Sequence, residues 1–327
     1  MKILVVGGAG YIGSHMVVRL LEEGSSVTTF DNLSGGYRDA VLGGDFIEGD
    51  LENVNLLDKV FSENNFDAVM HFASFIEVGE SILSPAKYYQ NNVTNTQNLL
   101  DAMVKHGVLN FIFSSTAAIF GEPQYVPIDE LHSMNPINPY GRTKLIVEQM
   151  LADYDHAYGL KSVALRYFNA AGADPQTRIG ERHLPESHLI PLVLQSASGR
   201  RETISIFGQD YDTPDGTCIR DYIHICDLCE AHLLAIKALQ SSHESAAYNL
   251  GNGNGFSVKE VIDTAKQVTG RDIPIEIAER RVGDPARLVA DASLARKKLN
   301  WNPAFSSLET IIRHAWLWED KLGSIKC

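Results

Sequence analysis

Four apolar residues, Ile3-Leu4-Val5-Val6, run straight into Gly7-Gly8-Ala9-Gly10-Tyr11-Ile12-Gly13, and this junction constrains the fold more than any other stretch. A continuous apolar run of this kind reads as a buried parallel strand, and Ile12, Met16, Val17 and Leu20 beyond it recur at helical spacing. The glycines therefore occupy a strand-to-helix turn. Gly8, Gly10 and Gly13 fit G-x-G-x-x-G, and Gly7, Gly10 and Gly13 fit G-x-x-G-x-x-G equally well. Either spacing lets the backbone turn tightly and approach a pyrophosphate, with the helix N-terminus facing the phosphates. Asp31 closes a second apolar run, Val27 to Phe30, near the interval of about 20 residues at which an acid meets ribose hydroxyls. A carboxylate there repels a 2'-phosphate and no arginine immediately follows it, so an NAD-type dinucleotide is expected.

From Met1 to about Leu165 strands and helices alternate, which predicts an α/β, doubly wound, Rossmann-like parallel sheet. Strands are expected at Lys2 to Val6, Ser26 to Phe30, Phe46 to Glu48, Asp67 to Phe72, Asn110 to Phe113 and Ser162 to Arg166. Helices are expected at Ile12 to Glu23, Asn55 to Glu63, Pro85 to His106 and Pro139 to Tyr158. Beyond Arg166 longer loops separate helical segments at Leu189 to Gly199, Asp227 to Leu239, Val258 to Thr269 and Leu308 to Leu322. A chain of 327 residues exceeds the roughly 250–300 at which one core stops growing. Residues 1–166 thus read as a dinucleotide-binding domain and 167–327 as a smaller substrate lobe, with Tyr248 to Gly251 a candidate for a strand returning to the first sheet.

A hydrophobic content of 44% with no long apolar span predicts a cytoplasmic globule without a membrane segment. The net charge of -13 argues against nucleic acid and anionic membranes as partners, and an anionic ligand would then need local arginines. The four cysteines are Cys218, Cys226, Cys229 and Cys327. His224-x-Cys226-x-x-Cys229-x-x-His232 has the look of zinc ligands, but Cys226, Cys229 and Leu233 share the apolar face of a helix, where cysteine behaves as a small hydrophobe. No metal centre is expected. Trp301, Trp316 and Trp318 read as packing anchors.

The second decisive stretch is Asn138-Pro139-Tyr140-Gly141-Arg142-Thr143-Lys144. With Pro139 at a helix start, Tyr140 and Lys144 stand at i and i+4 on one face. A free phenol has a pKa of about 10, too high for a base at neutral pH. An adjacent ammonium, together with an oxidised nicotinamide, favours the phenolate. The run Phe111-Ile112-Phe113-Ser114-Ser115-Thr116 would deliver hydroxyls to the carboxyl end of the same sheet, where ligands bind.

Gly7-x-x-Gly10-x-x-Gly13, Asp31-Asn32-Leu33-Ser34, Asp50, His71-Phe72-Ala73, Ser114-Ser115-Thr116 and Tyr140-x-x-x-Lys144 together resemble the extended short-chain dehydrogenases/reductases. Arg166-Tyr167-Phe168-Asn169, Ile206-Phe207-Gly208, Asp215-Gly216-Thr217, Arg220-Asp221-Tyr222-Ile223-His224 and Arg281-Val282-Gly283-Asp284 resemble the UDP-glucose 4-epimerase branch of that family. The resemblance spans nearly the whole chain. It implies that Tyr140 removes the proton from the sugar 4-hydroxyl as hydride passes from C4 to tightly held NAD. The 4-keto sugar then turns over in its pocket and hydride returns to the opposite face. Thr116 would hydrogen-bond the 4-oxygen, and Lys144 would hold the nicotinamide ribose.

The same resemblance implies cofactor contacts from Gly7, Gly10, Tyr11, Ile12 and Gly13, from Asp31, Asn32, Asp50 and Leu51, and from Phe72, Ala73, Asn91, Ser114 and Tyr167. For the UDP-hexose it implies Arg220 and Arg281 as a diphosphate clamp, Asp284 on the uridine ribose, Phe207 beside the uracil, and Asn169, His188, Leu189 and Tyr222 around the diphosphate and sugar. It further implies a homodimer in which Pro85 to His106 and Pro139 to Tyr158 pair as a four-helix bundle. The chain departs from the pattern at Ile76, where some members carry a lysine, and at His188, where others have asparagine. Leu288 stands where a bulky residue excludes N-acetyl groups and a small one admits them, which leaves UDP-N-acetylglucosamine open. Ala117-Ala118 after Thr116 lack the Asp-Glu pair of a 4,6-dehydratase. A UDP-pentose or UDP-uronic acid epimerase and a non-catalytic dinucleotide sensor are the remaining alternatives.

Overall fold

A computed structural model of the chain describes residues 1–281 and 284–325, so Val282 and Gly283 of the Arg281–Asp284 motif, and Cys327, lie outside the described residues. The first strand, β1 (Lys2–Val6), leads through the glycine turn into α1 (Tyr11–Glu22), followed by β2 (Ser26–Asp31), β3 (Asp45–Glu48), α2 (Val54–Ser62) and β4 (Ala68–His71). After two short helices, α3 (Val78–Leu83) and α4 (Pro85–Tyr89), come α5 (Asn95–Lys105), β5 (Asn110–Thr116), α6 (Pro139–Tyr158) and β6 (Lys161–Tyr167). The remainder runs β7 (Asn169–Ala171), α7 (Leu189–Ala197), β8 (Ile204–Phe207), β9 (Ile219–Arg220), β10 (Tyr222–His224), α8 (Ile225–Ser242) and β11 (Ala246–Leu250). Last come β12 (Phe256–Ser257), α9 (Val258–Thr269), β13 (Ile275–Ala278), β14 (Arg287–Leu288), α10 (Ser293–Leu299) and α11 (Leu308–Ile325).

Seven strands form one parallel sheet in the order β11-β6-β5-β4-β1-β2-β3. The chain winds outward from β1 through β2 to β3, then returns to β4 on the other side of β1. That reversal opens a crevice at the carboxyl ends of β1 and β4. Alternate residues of β1 serve the two faces. Ile3 and Val5 pack with Met16, Val17 and Leu20 of α1 and with Leu228, Leu233 and Ile236 of α8. Leu4 and Val6 pack with Leu57 of α2, Leu99 of α5, and Val147 and Leu151 of α6. A separate cluster joins α7, α9 and α11 through Ile190, Val193, Val261, Ile262, Ile311 and Ile312.

Two expectations need correction. Pro85 to His106 is not one regular helix: a π-helical turn at Gln90–Thr94 separates α4 from α5. Buried Asn92 explains the interruption, since its amide accepts from Phe75 N–H (2.9 Å) and donates to Phe75 O (3.0 Å) and Thr143 Oγ1 (3.2 Å). The widened turn lets Asn92 clamp the loop after β4 while neighbouring Asn91 lines the cavity there, a use of π-bulges that recurs at ligand sites. Strand β5 also continues past Phe113 to Thr116, because Ser114, Ser115 and Thr116 pair in register with Leu165, Arg166 and Tyr167.

Candidate active site

The glycine turn is shaped by contacts that only glycine permits. Gly7 has φ +80°, and a Cβ there would lie 2.4 Å from Ala73 N. A Cβ on Gly13 would lie 2.1 Å from Gly7 O, so α1 packs directly on the turn. Gly10 is less crowded, its nearest Cβ contact being 3.4 Å. Asp31 ties this turn to the next: Oδ2 accepts from Ala9 N–H (2.9 Å) and Oδ1 from Leu33 N–H (2.8 Å). Burial raises its pKa, and these two backbone bonds hold it down.

The turn opens into a cavity of about 920 Å³ that runs along the carboxyl edge of the sheet. Gly7, Gly10, Tyr11, Ile12 and Gly13 line one end with Asp31, Asn32, Asp50 and Leu51. Asn32 Nδ2 donates to Asp50 Oδ2 at 2.6 Å, which holds both side chains at the rim. Phe72, Ala73, Ile76 and Asn91 line the middle, and Tyr140, Lys144, Thr116 and Tyr167 the wall beyond. Ser114 stands behind that wall: its carbonyl accepts from Lys144 Nζ (2.9 Å) and its Oγ bonds the Tyr167 hydroxyl (2.8 Å).

Tyr140 is brought to Thr116 by the start of α6. Asn138 caps this helix through Gly141 N–H (2.8 Å), with Pro139 in its first turn. Gly141 is needed because a Cβ would come within 2.5 Å of Ala118 O. The helix therefore seats against the residues following β5, which puts Tyr140 and Thr116 on the same cavity wall. Thr116 Oγ1 already accepts from Ala118 N–H (3.2 Å), so its own proton is available to donate. The electrostatics differ from the expectation that Lys144 lowers the Tyr140 pKa. In the chain itself burial pushes the phenol up to about 12, opposed only by the neighbouring Thr116 hydroxyl. Burial also takes Lys144 down to about 7, with Glu148 pulling the other way. The ammonium lies 4.9 Å over the Phe113 ring.

At the far end Asn169, His188, Arg220, Pro285 and Leu288 line the cavity. Arg220 and Asp284 form an ion pair with each other, and Arg220 also donates to Ile219 O at 2.8 Å. The Arg281 guanidinium stacks on the Phe207 ring at 3.9 Å. Phe207, Arg281 and Asp284 are not among the cavity-lining residues. Tyr222 is a core residue, packed in the cluster of α7, α9 and α11, and Leu189 packs against that cluster at the first turn of α7. Asp221 is scaffolding: its carboxylate accepts from the backbone of Asn252, Gly253 and Ala290. His224 caps α8 through Cys226 N–H, and His232 Nδ1 contacts Leu228 O, so both serve the helix they stand on.

Sequence reasoning passed over Glu181 and His183, which also line the cavity. The signal was present as Glu181-x-His183-x-x-Glu186-x-His188, four potential ligands in one loop. Lys87 was missed as well; it reaches the cavity wall over the Phe75 ring (4.3 Å) and pairs with Glu80.

A doubly wound sheet with a nucleotide turn and a Thr-Tyr-Lys wall defines a class, and the chain belongs to the NAD dependent epimerase/dehydratase family, which matches residues 3–251. It is 55% identical over 318 residues to the UDP-glucose 4-epimerase of Halalkalibacterium halodurans, covering 97% of this chain and 95% of that one. The crystal structure of UDP-glucose 4-epimerase from Brucella ovis in complex with NAD is 50% identical, with a TM-score of 0.95 over 97% of both chains. The UDP-Glc/GlcNAc 4-epimerase of Campylobacter jejuni is 45% identical, with a TM-score of 0.87 over 98% of this chain and 99% of that one.

Proposed function

We infer that this chain is an NAD-dependent UDP-glucose 4-epimerase, interconverting UDP-glucose and UDP-galactose. The observation that carries the reading is the convergence of Thr116 and Tyr140 on the cavity wall with Lys144 one turn along α6. Bound NAD supplies a reversible hydride acceptor for sugar C4. Gly7, Gly10 and Gly13 would admit its pyrophosphate, Asp31 its adenosine ribose, and Lys144 its nicotinamide ribose. Tyr140, as phenolate, accepts the proton of the sugar 4-hydroxyl, and Thr116 donates a hydrogen bond to the same oxygen. When hydride returns, Tyr140 gives the proton back, so no external base or oxidant is consumed. Ala117 and Ala118 offer no acid for water elimination, which favours epimerisation over dehydration.

The substrate assignment rests on Arg220 and Asn169 at the far end of the cavity and on the named relatives. Arg281, Phe207 and Asp284 would join them by closing on the nucleotide. Leu288 in the cavity wall is intermediate in size and leaves open a second reading, in which N-acetylated UDP-hexoses are also accepted. The 45% identity to a UDP-Glc/GlcNAc 4-epimerase supports it. The separate core of α7, α9 and α11 supports a two-lobed organisation, with residues 1–166 and the strand at 246–250 forming the cofactor lobe. A cytoplasmic homodimer pairing α4–α5 with α6 across a two-fold axis completes the proposal, and a single-chain mass by light scattering would contradict it. Among the described residues no helix is long and apolar enough to cross a membrane.

Incubation with UDP-galactose or with UDP-N-acetylgalactosamine, followed by proton NMR of the C4 epimers, tests the function. Conversion of the first establishes the epimerase, and conversion of both establishes the open pocket. If neither converts with NAD supplied, the UDP-hexose reading is wrong.

A further inference from the structure

We propose that Glu181, His183, Glu186 and His188 form a structural divalent-cation site, of a kind that suits Zn²⁺, in the loop leading into α7. The sequence reading expected no metal centre, and the zinc-like set it weighed lies elsewhere, on α8. One donor atom from each of these four side chains lies within 4.8 Å of all the others. His188 Nδ1 is 3.0 Å from Glu181 Oε1 and 2.9 Å from Glu186 Oε1. His183 Nδ1 is 3.2 Å from Glu181 Oε1 and 3.8 Å from Glu186 Oε2. Bonds of about 2.0–2.1 Å to a tetrahedral ion place neighbouring donors about 3.3 Å apart. These four separations, which reach Glu186 through either carboxylate oxygen, bracket that edge.

Charge balance points the same way. The Glu181 and Glu186 side chains retain only 7% and 6% exposure. Among the described residues their ion-pair partners are His183 and His188, and neither carboxylate forms an ion pair with a lysine or arginine. Two buried carboxylates and two neutral imidazoles are neutralised by one divalent ion. A proton on His188 Nδ1 serves Glu181 and Glu186 but leaves the buried His183 Nδ1 without a hydrogen-bond partner. An ion gathers all four donors, and a mixed imidazole and carboxylate set suits zinc.

The surroundings hold the donors in place, as metal sites require. Glu186 Oε1 also accepts from Ser187 N–H and His188 N–H, both at 2.9 Å. The Tyr11 ring stands edge-on to His183 at 6.3 Å. Glu181 O accepts from Trp318 Nε1 at 3.1 Å, which anchors the loop to α11. With four protein donors the ion has no open position, so it acts by fixing a loop rather than by polarising substrate. That loop lines the cavity through Glu181, His183 and His188, and the α1 end of the cofactor turn abuts it through Tyr11.

Metal content of the untagged full chain, measured by plasma mass spectrometry after dialysis against metal-free buffer, tests the site without reference to turnover. About one zinc per chain is expected, falling at least about tenfold in Glu181→Gln/His183→Asn and in Glu186→Gln/His188→Asn. Cobalt-loaded wild-type protein, which needs no variant to fold, should show the visible absorption of a tetrahedral Co²⁺ site. Less than about a tenth of an equivalent of any divalent metal in wild type after zinc loading overturns the proposal, as does full metal retention in both folded double variants. An octahedral cobalt spectrum overturns the closed four-donor site.

Discussion

Replacing Lys144 by methionine tests how the buried phenol becomes a base. Burial takes Tyr140 up to about 12, and bringing it to about 7 requires about 5 pK units, or about 7 kcal/mol. One unit charge at about 4 Å and an effective dielectric of about 20 supplies about 4 kcal/mol, or about 3 units. A single cation is therefore too little, and two, the Lys144 ammonium and the oxidised nicotinamide, suffice. Removing the ammonium should leave the phenol a weaker acid and lower the phenolate fraction at about pH 7 roughly 100-fold. Methionine keeps most of the buried volume but leaves Ser114 O without its donor, a cost of about 1–3 kcal/mol that a urea titration reads separately. The assay is kcat for UDP-galactose conversion between about pH 6 and 10, on protein whose bound NAD has been quantified. The variant should recover about tenfold per pH unit until about pH 9. A loss that is uniform across pH, or smaller than about tenfold at about pH 7, refutes the electrostatic reasoning.

Tyr140→Phe should retain NAD and change stability by no more than about 1 kcal/mol, because only one hydroxyl on the cavity wall is lost. Its kcat should fall about 10²–10⁴-fold, and a value within tenfold of wild type would remove Tyr140 from the mechanism. Gly13→Ala drives a methyl to 2.1 Å from Gly7 O, so urea unfolding should show a loss of about 3 kcal/mol together with released NAD. Glu148→Gln leaves Arg166 charged and buried, where the pair now retains only 6% and 9% exposure, and should cost about 3 kcal/mol. Burial lowers His15 and His232 to about 4 and His71 and His224 to about 3. The unfolded chain then binds more protons below its own histidine pKa of about 6.5, so stability is present above that value and is lost as pH falls towards 4. A urea midpoint that does not change between about pH 7 and 5 would contradict this.

Local chemistry alone determined much of this chain. The apolar run into Gly7, the caps and prolines of α6 and the alternation up to Leu165 are short-range patterns, and β1, α6 and α9 begin and end where those patterns do. The i, i+4 spacing of Tyr140 and Lys144 follows from helical geometry once Pro139 sets the start. What needed the tertiary structure were effects of burial and long-range contact. The π-turn at Gln90–Thr94 answers to Phe75 and Thr143, residues far away in sequence. Lys144 cannot by itself depress Tyr140, because desolvation penalises both charges at once. Tyr222 stands in a motif with Arg220 yet packs in a core, because the chain leaves β9 at Arg220 and enters β10 at Tyr222, where it pairs with β7 instead. Glu181, His183, Glu186 and His188 were legible as four polar residues in a loop, but only the folded loop brings their donors to within 4.8 Å of one another. Spacing along a chain reports what a helix or strand will align, whereas burial, charge balance and convergence of a loop depend on what the rest of the molecule packs around it.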